Sequence, residues 1–280
     1  MKQTLAAFAL AILITINAFG QKEVLFKGVF LPERTYVMKT STTGAMDVDF
    51  KGDDQIVSQL KAGGMTLPIK VTTNQKMNIT TKTGAKINNE IPLVIVYDEM
   101  TTTQVVAGKE NTKPNPFENL KVDARIKADG KLVVDSIHGN APPELKQTMI
   151  LTMESLQNQV KFPTKPMKPG DQFDQEVPLS IPLAGNQPIR LLVKTKYKLK
   201  SIKDGKANFD LDQELVLDFN IEQTNATASG KGTGQMTYDI KDSYMIAYSS
   251  DLDMSFGMTK DKLVIEAKGK TKTEQVITIE

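Results

Sequence analysis

The sequence predicts a mainly β protein, built as long, curved antiparallel meander sheets in two lobes with one amphipathic helix near 142–158. Three observations carry this. Thr is abundant (28 of 280 residues), alongside many Val and Ile, and β-branched side chains favour strands because their stiff χ1 fits a pleated surface. From Tyr244 onward, one face collects Tyr244, Ile246, Tyr248, Ser250, Leu252, Met254, Phe256 and Met258. Period two over so long a run is a strand signal and not a helical one. Finally, Leu191 to Ile221 reads as a hairpin in which Lys194, Lys196, Lys198 and Lys200 oppose Asp210, Asp212 and Glu214.

Taken in order, strands are expected at Val24–Phe30, Tyr36–Phe50, Ile69–Thr83, Leu93–Val106, Leu120–Ala128 and Leu132–Ile137, the last two joined at Asp129-Gly130. Residues 56–65 read either as a short helix or as a connection, and Gly63-Gly64 ends any helix there. Pro142-Pro143-Glu144 opens the main helix, since proline is tolerated in a first turn and Glu faces the exposed amides. Leu145, Met149, Met153 (or Thr152) and Leu156 fall three or four apart and give it a stripe. Pro163, Pro166 and Pro169 then make a stiff connector that divides an N-terminal lobe (21–160) from a C-terminal lobe (161–280). Comparable Pro-containing entries and Lys-Leu-Val hairpins in the two lobes suggest a faint duplication. In the 191–221 hairpin a two-residue Asp204-Gly205 loop would mix apolar and charged faces. A three-residue loop pairing Lys203 with Ala207 sets Lys198 against Asp212, Lys196 against Glu214 and Lys200 against Asp210. Tyr244–Met258 reads as one very long strand or as two joined by a bulge, with Gln275–Ile279 as the closing strand.

The chain begins Met-Lys-Gln-Thr, continues apolar from Leu5 to Ile16, and reaches small residues at Ala18 and Gly20. That is the pattern of a signal peptide over 1–20, too short for a good membrane span. It predicts an exported protein of the periplasm, cell surface or medium, with no integral span after cleavage. The net charge is +2 and the charges are interspersed, so no nucleic-acid footprint is visible.

Residue supply excludes several chemistries. There is no Cys and a single His, which removes thiol nucleophiles and the usual zinc sites. We expect no metal and no cofactor. His138 lies beside Ser136, but no nucleophile elbow is present. The acid pairs Asp47/Asp49, Asp53/Asp54, Asp210/Asp212 and Asp251/Asp253 read as solvated sheet faces, where the two-carboxylate geometry of a glycosidase is not formed. Ser229–Gly234 places Lys231 among glycines without a phosphate-loop ending, and reads as an irregular or bulged sheet edge. No catalytic residue is assigned, and the supply points away from an enzyme.

The signal-peptide ending Asn17–Lys22, the early Arg34-Thr35-Tyr36-Val37-Met38, the Phe162–Phe173 proline and Gly-Asp segment, and the Tyr197–Ala207 hairpin together resemble an uncharacterised family of secreted Bacteroidetes proteins, a domain of unknown function. Phe173 follows Gln172 where that family often has Ser before the aromatic. The resemblance carries no catalytic residues with it. In outline the long-stranded pattern is also similar to periplasmic lipoprotein carriers, whose half-open sheet wraps around a helix; that likeness implies fold and not function. The leading expectation is a non-enzymatic binding or carrier module for an apolar small molecule such as a lipid, held by Tyr244, Tyr248, Met254, Phe256 and Met258. The alternatives are a structural module that binds another envelope protein, and a carboxylate hydrolase.

Overall fold

A computed structural model describes residues 23–113, 117, 120–139, 142–143, 146–147, 149–150, 153, 160–181, 189–217, 225–260 and 262–280, without the side chains of 113, 179–181, 189–190, 225 and 260. The expected signal peptide and Leu145 and Leu156 of the expected helix stripe lie outside them.

The fold is mainly β, as expected. One antiparallel sheet contains β1 (Thr35–Lys51), β2 (Ile69–Thr83), β3 (Ile91–Val106), β4 (Lys109–Lys113), β5 (Lys121–Ile126), β6 (Leu132–His138), β7 (Gln172–Ile181), β8 (Ile189–Lys203), β9 (Lys206–Leu217), β10 (Asn225–Asp239), β11 (Tyr244–Lys260) and β12 (Leu263–Ile279). The order is β6-β5-β3-β2-β1-β12-β11-β10-β9-β8-β7, with β4 added beside β3. The first and last strands pair from Tyr36↔Ile279 to Lys51↔Val264, so both halves of the chain share one sheet. The closing segment 275–279 is the end of the long β12 and not a strand of its own. Asp53 caps α1 (Asp54–Ala62) by accepting from the amides of Gln55 and Ile56, and Gly63 closes it. The described residues between 143 and 153 are helical, in line with the expected second helix.

One sheet face is apolar and covered. Leu93, Val122 and Ala124 form a core with Met149 of the second helix. Leu199, Phe209, Met236 and Tyr238 form another with Val24, Phe26 and Met167. The opposite face is charged. Register partners run Glu176, Lys194, Glu214, Lys231, Asp253 and Lys270 across β7 to β12, alternating in sign at every strand. Lys270 reaches Asp253 at 3.0 Å and Lys194 reaches Glu176 at 3.7 Å. Exposed pairs add little stability each, about 0–1 kcal/mol. Their importance is positional: alternation in sign fixes register and keeps this face wet.

Three expectations need correction. The β8–β9 turn is the two-residue Asp204-Gly205 loop after all, with Lys203 opposite Lys206 and both turn residues at positive φ (51° and 74°), as a type I′ turn requires. A bulge between Leu199 and Ser201 absorbs Lys200 and restores the faces. The register is therefore Lys198↔Asp210, Lys196↔Asp212 and Lys194↔Glu214. Lys200 still meets Asp210, at 3.3 Å. Second, Val24–Phe30 is no ladder strand. It holds a single bridge, Val24↔Met167, and crosses the covered face as a strap, because its aromatic side chains find partners there.

Third, Ser229–Gly234 is no edge. It lies in β10, between β9 and β11. A Cβ at Gly230, Gly232 or Gly234 would come within 2.7, 2.6 and 2.2 Å of carbonyl oxygens of β11. All three positions face the covered side, opposite Met254, Leu252 and Ser250. The glycines let the β11 backbone lie close to β10 on this face, and glycine at such positions is a device that permits sheet curvature.

Candidate functional site

The strap is anchored by aromatic side chains. Phe26 sits 5.1–5.4 Å (ring centroids) from Tyr238, Phe209 and Phe162. The Tyr238 hydroxyl donates to the Lys27 carbonyl at 2.6 Å and accepts from the Lys27 amide at 3.2 Å. Further on, Phe30, Tyr36 and Tyr244 form a three-ring cluster with centroids 4.8–5.0 Å apart. The Leu31 amide donates to the Tyr36 hydroxyl at 2.8 Å, and the Thr83 hydroxyl donates to the Leu31 carbonyl at 2.7 Å. Burial, with the Tyr36 phenol alongside, pushes the Tyr244 hydroxyl far above the usual phenol range. It is a neutral group at any physiological pH.

Between strap, sheet and second helix lies a cavity of about 530 Å³. Its walls are Phe30 and Leu31 of the strap, Leu93 and Ile95 of β3, Ile126 of β5 and Met153 of the helix. Val160 and Phe162 ahead of the connector, Tyr244 and Met245 of β11 and Ala128 of the β5–β6 hairpin also line it. Among the described residues its polar side chains are Lys86, Asn89 and Lys127. Lys86 and Asn89 come from the β2–β3 loop, where Asn88 and Asn89 take positive φ (49° and 65°). Lys127 comes from the β5–β6 hairpin, where its amide donates to the Lys131 carbonyl at 2.7 Å and its carbonyl accepts from the Gly130 amide at 2.9 Å.

The five residues expected to bind a ligand share the covered face but do not meet in one place. Tyr244 lines the cavity. Tyr248 packs on the C-terminal core and its hydroxyl accepts from Gln213 Nε2 at 3.2 Å. Past it the same face turns polar. Ser250 is buried (8% exposed) and donates to Gln213 Oε1. Its register neighbours include Thr273, and Tyr248's include Gln275, opposite Thr40. Thr40 Oγ1 and Gln275 Nε2 are buried without a partner. Met254 lies beyond this polar belt in a shallow depression with Met46 and Leu215, and Phe256 and Met258 follow it, half-buried. The alternating stripe is thus cut in two by a polar layer.

Sequence reasoning missed the strap residues, Lys86, Asn89, Lys127, Val160 and Phe162. Phe26, Phe30 and Leu31 just ahead of Pro32 were the available signal, since an apolar run that ends at proline can cover a face without joining a ladder.

The acids and the histidine face the other way. Asp212, Asp251 and Asp253 are exposed, and Asp210 is half-exposed beside Lys200. His138 Nε2 lies 2.9 Å from Ser136 Oγ and 2.7 Å from Asp123 Oδ2. A Ser-His-acid relay uses the two ring nitrogens separately, one toward each partner. Here one nitrogen meets both groups, on an exposed strand pair. The contact with His138 lowers the Asp123 pKa, and Lys121 at 3.2 Å adds to it. This is a surface charge cluster. Among the described residues no group of His, Asp and Glu is placed to hold a metal ion.

No family model matches the chain, and no curated protein does. Among solved structures it is similar to OccK11 (OpdR) of Pseudomonas aeruginosa, at 8% identity and TM-score 0.22, over 90% of this chain and 98% of that one. OccK7 (OpdD) of the same organism gives 6% identity and TM-score 0.23, over 88% and 99%. The translocator domain of the autotransporter NalP from Neisseria meningitidis gives 6% and 0.17, over 97% and 96%. Scores this low carry no shared architecture. The sheet itself argues against a lipid-embedded wall, because a charged side chain on the lipid face costs about 2–4 kcal/mol at the midplane, and here the outward face alternates Lys with Asp and Glu.

Proposed function

We propose that this is an exported, non-enzymatic carrier that holds one apolar molecule of lipid type in the cavity beneath the strap. The observation that carries the reading is the cavity itself. Its volume of about 530 Å³ falls within the roughly 300–1,000 Å³ of small-molecule sites, which are mostly apolar with a few placed polar groups. Its walls come from aliphatic and aromatic side chains of the sheet, strap and helix. The wet, sign-alternating outer face fits a carrier that moves through an aqueous compartment. The N-terminal leader pattern supports export.

Native mass spectrometry of the protein isolated from its own cells tests this directly. A co-purifying lipid-sized mass is expected, together with binding of a fluorescent fatty-acid probe by the delipidated chain. Ala128→Trp, at an exposed lining position, places an indole in the cavity mouth without touching the core. It should weaken probe binding while leaving the unfolding midpoint unchanged. Delipidated protein that binds no probe at all sinks the reading.

A further inference from the structure

The polar lining of the cavity is one-signed. Among the described residues it contains Lys86 and Lys127 and no carboxylate. The acids nearest in sequence are already engaged: Glu90 pairs with Arg125 at 3.4 Å and Asp129 with Lys131 at 3.4 Å. Among the described residues, Lys86 and Lys127 have no ion-pair partner. Both are exposed, so each ammonium stands at the wet end of an otherwise apolar chamber. Asn89, also exposed, adds an amide donor beside them. Two loops that are distant in sequence, β2–β3 and β5–β6, are brought together by β3–β5 pairing at Ile91↔Ile126. The cationic mouth is therefore a product of the fold, not of a basic sequence run.

We infer that the ligand is a single-chain amphiphile with an anionic head, its chain in the apolar chamber and its head between Lys86 and Lys127. This rests on the carrier reading and narrows it. A neutral head would gain no charge attraction from the two hydrated ammonium groups. An anionic head gains from both, and charge complementarity acts on selectivity and encounter more than on raw affinity. Each exposed charge contact contributes modestly, so two together give a preference of about tenfold.

The test uses the delipidated full chain and displacement of an uncharged fluorescent probe by dodecanoate, dodecyl phosphate and dodecanol. Both anions should compete about tenfold better than the alcohol at low salt, and the gap should shrink as salt is raised. In the double variant K86Q/K127Q the gap should close, with dodecanol affinity and the unfolding midpoint unchanged. Equal competition by anion and alcohol in the native protein, or an anion preference that survives in the double variant, overturns the inference and leaves the carrier reading standing. Failure of all three to compete would remove the carrier reading itself.

Discussion

Gly234 offers a perturbation whose sign separates two lines of reasoning. Gly within a strand is ordinarily a weakness, and Gly→Ala at a compatible φ stabilises by about 0.4–1 kcal/mol through the unfolded chain. Gly234 has no positive φ, so on propensity alone Gly234→Ala should help. The packing says otherwise. The added Cβ would stand 2.2 Å from the Ser249 carbonyl oxygen, 3.2 Å from its carbon and 3.3 Å from Ser250 Cα. Relief to an ordinary contact near 3.4 Å requires β10 and β11 to part locally by about 1.2 Å, next to where Ser250 bonds to Gln213. Overpacking of this kind costs about 1–3 kcal/mol. Gly44→Ala is the matched control. It also faces the covered side, but its nearest neighbour would be Thr271 Oγ1 at 3.8 Å, so it should stabilise by a few tenths to about 1 kcal/mol. Urea unfolding followed by circular dichroism gives both midpoints. A neutral or stabilised Gly234→Ala would refute the claim that the glycines on β10 exist to let the sheet fold over itself.

The remaining expectations concern the strap, the charged face and the histidine cluster. Tyr238→Phe removes the hydroxyl that bridges both backbone groups of Lys27; it should cost about 1–2 kcal/mol and speed hydrogen exchange across 24–31 while β2–β3 amides keep their protection. Lys231→Glu places a like charge between Glu214 and Asp253; it should lower stability by about 1 kcal/mol at low salt, and most of the loss should vanish in 1 M salt. His138→Ala should raise the titration midpoint of Asp123 in a carboxyl-detected NMR experiment. The folded-state pKa of Asp123 is lowered, so its contribution to stability is present above the ordinary carboxylate pKa and is lost as pH falls through the folded value. The variant should therefore be less sensitive to acid over that range, and a midpoint that does not move would show that the His138 contact is not the cause.

Much of the sheet was legible because period two is a local signal. The strand boundaries of β1, β2 and β3 follow the alternation to within a few residues, and Gly63 ends α1 where it should. The β8–β9 register was not legible, for an identifiable reason. Face alternation and the Asp-Gly turn conflict by one residue, and two devices resolve that conflict: a longer loop or a bulge. Both put lysines opposite acids, so charge cannot choose between them. The structure uses the bulge at Lys200, because Asp204 and Gly205 both tolerate the left-handed region that the tight turn needs. Likewise the glycines of β10 read as an edge because sequence shows missing side chains but not what would have collided with them.

The site was harder to read than the fold, since none of its chemistry lies in one stretch. Tyr244 was found because it begins the strongest stripe in the chain. The stripe then misled beyond Ser250. On a strand, alternation says only that side chains share a face, and a face fifteen residues long can pass through more than one environment. Here the belt of Thr40, Ser250 and Gln275 intervenes: Ser250 is held by Gln213, Thr40 Oγ1 and Gln275 Nε2 are buried polar atoms, and such a layer is a poor lining for a greasy ligand. Tyr244 is therefore grouped with Phe30, Leu31 and Ile95, which are remote in sequence, and separated from Met254 and Phe256, which are near. What joins the first group is the strap laid over the start of β11 and the inner face of β3, beside loops of the kind that usually carry function on a rigid scaffold. If the cavity is the working site, substitutions at Met254 and Phe256 should leave ligand binding intact and change only stability, whereas Leu31→Asp in the strap should abolish binding. A loss of binding from Phe256→Leu with an unchanged melting profile would relocate the site to the far side of the polar belt.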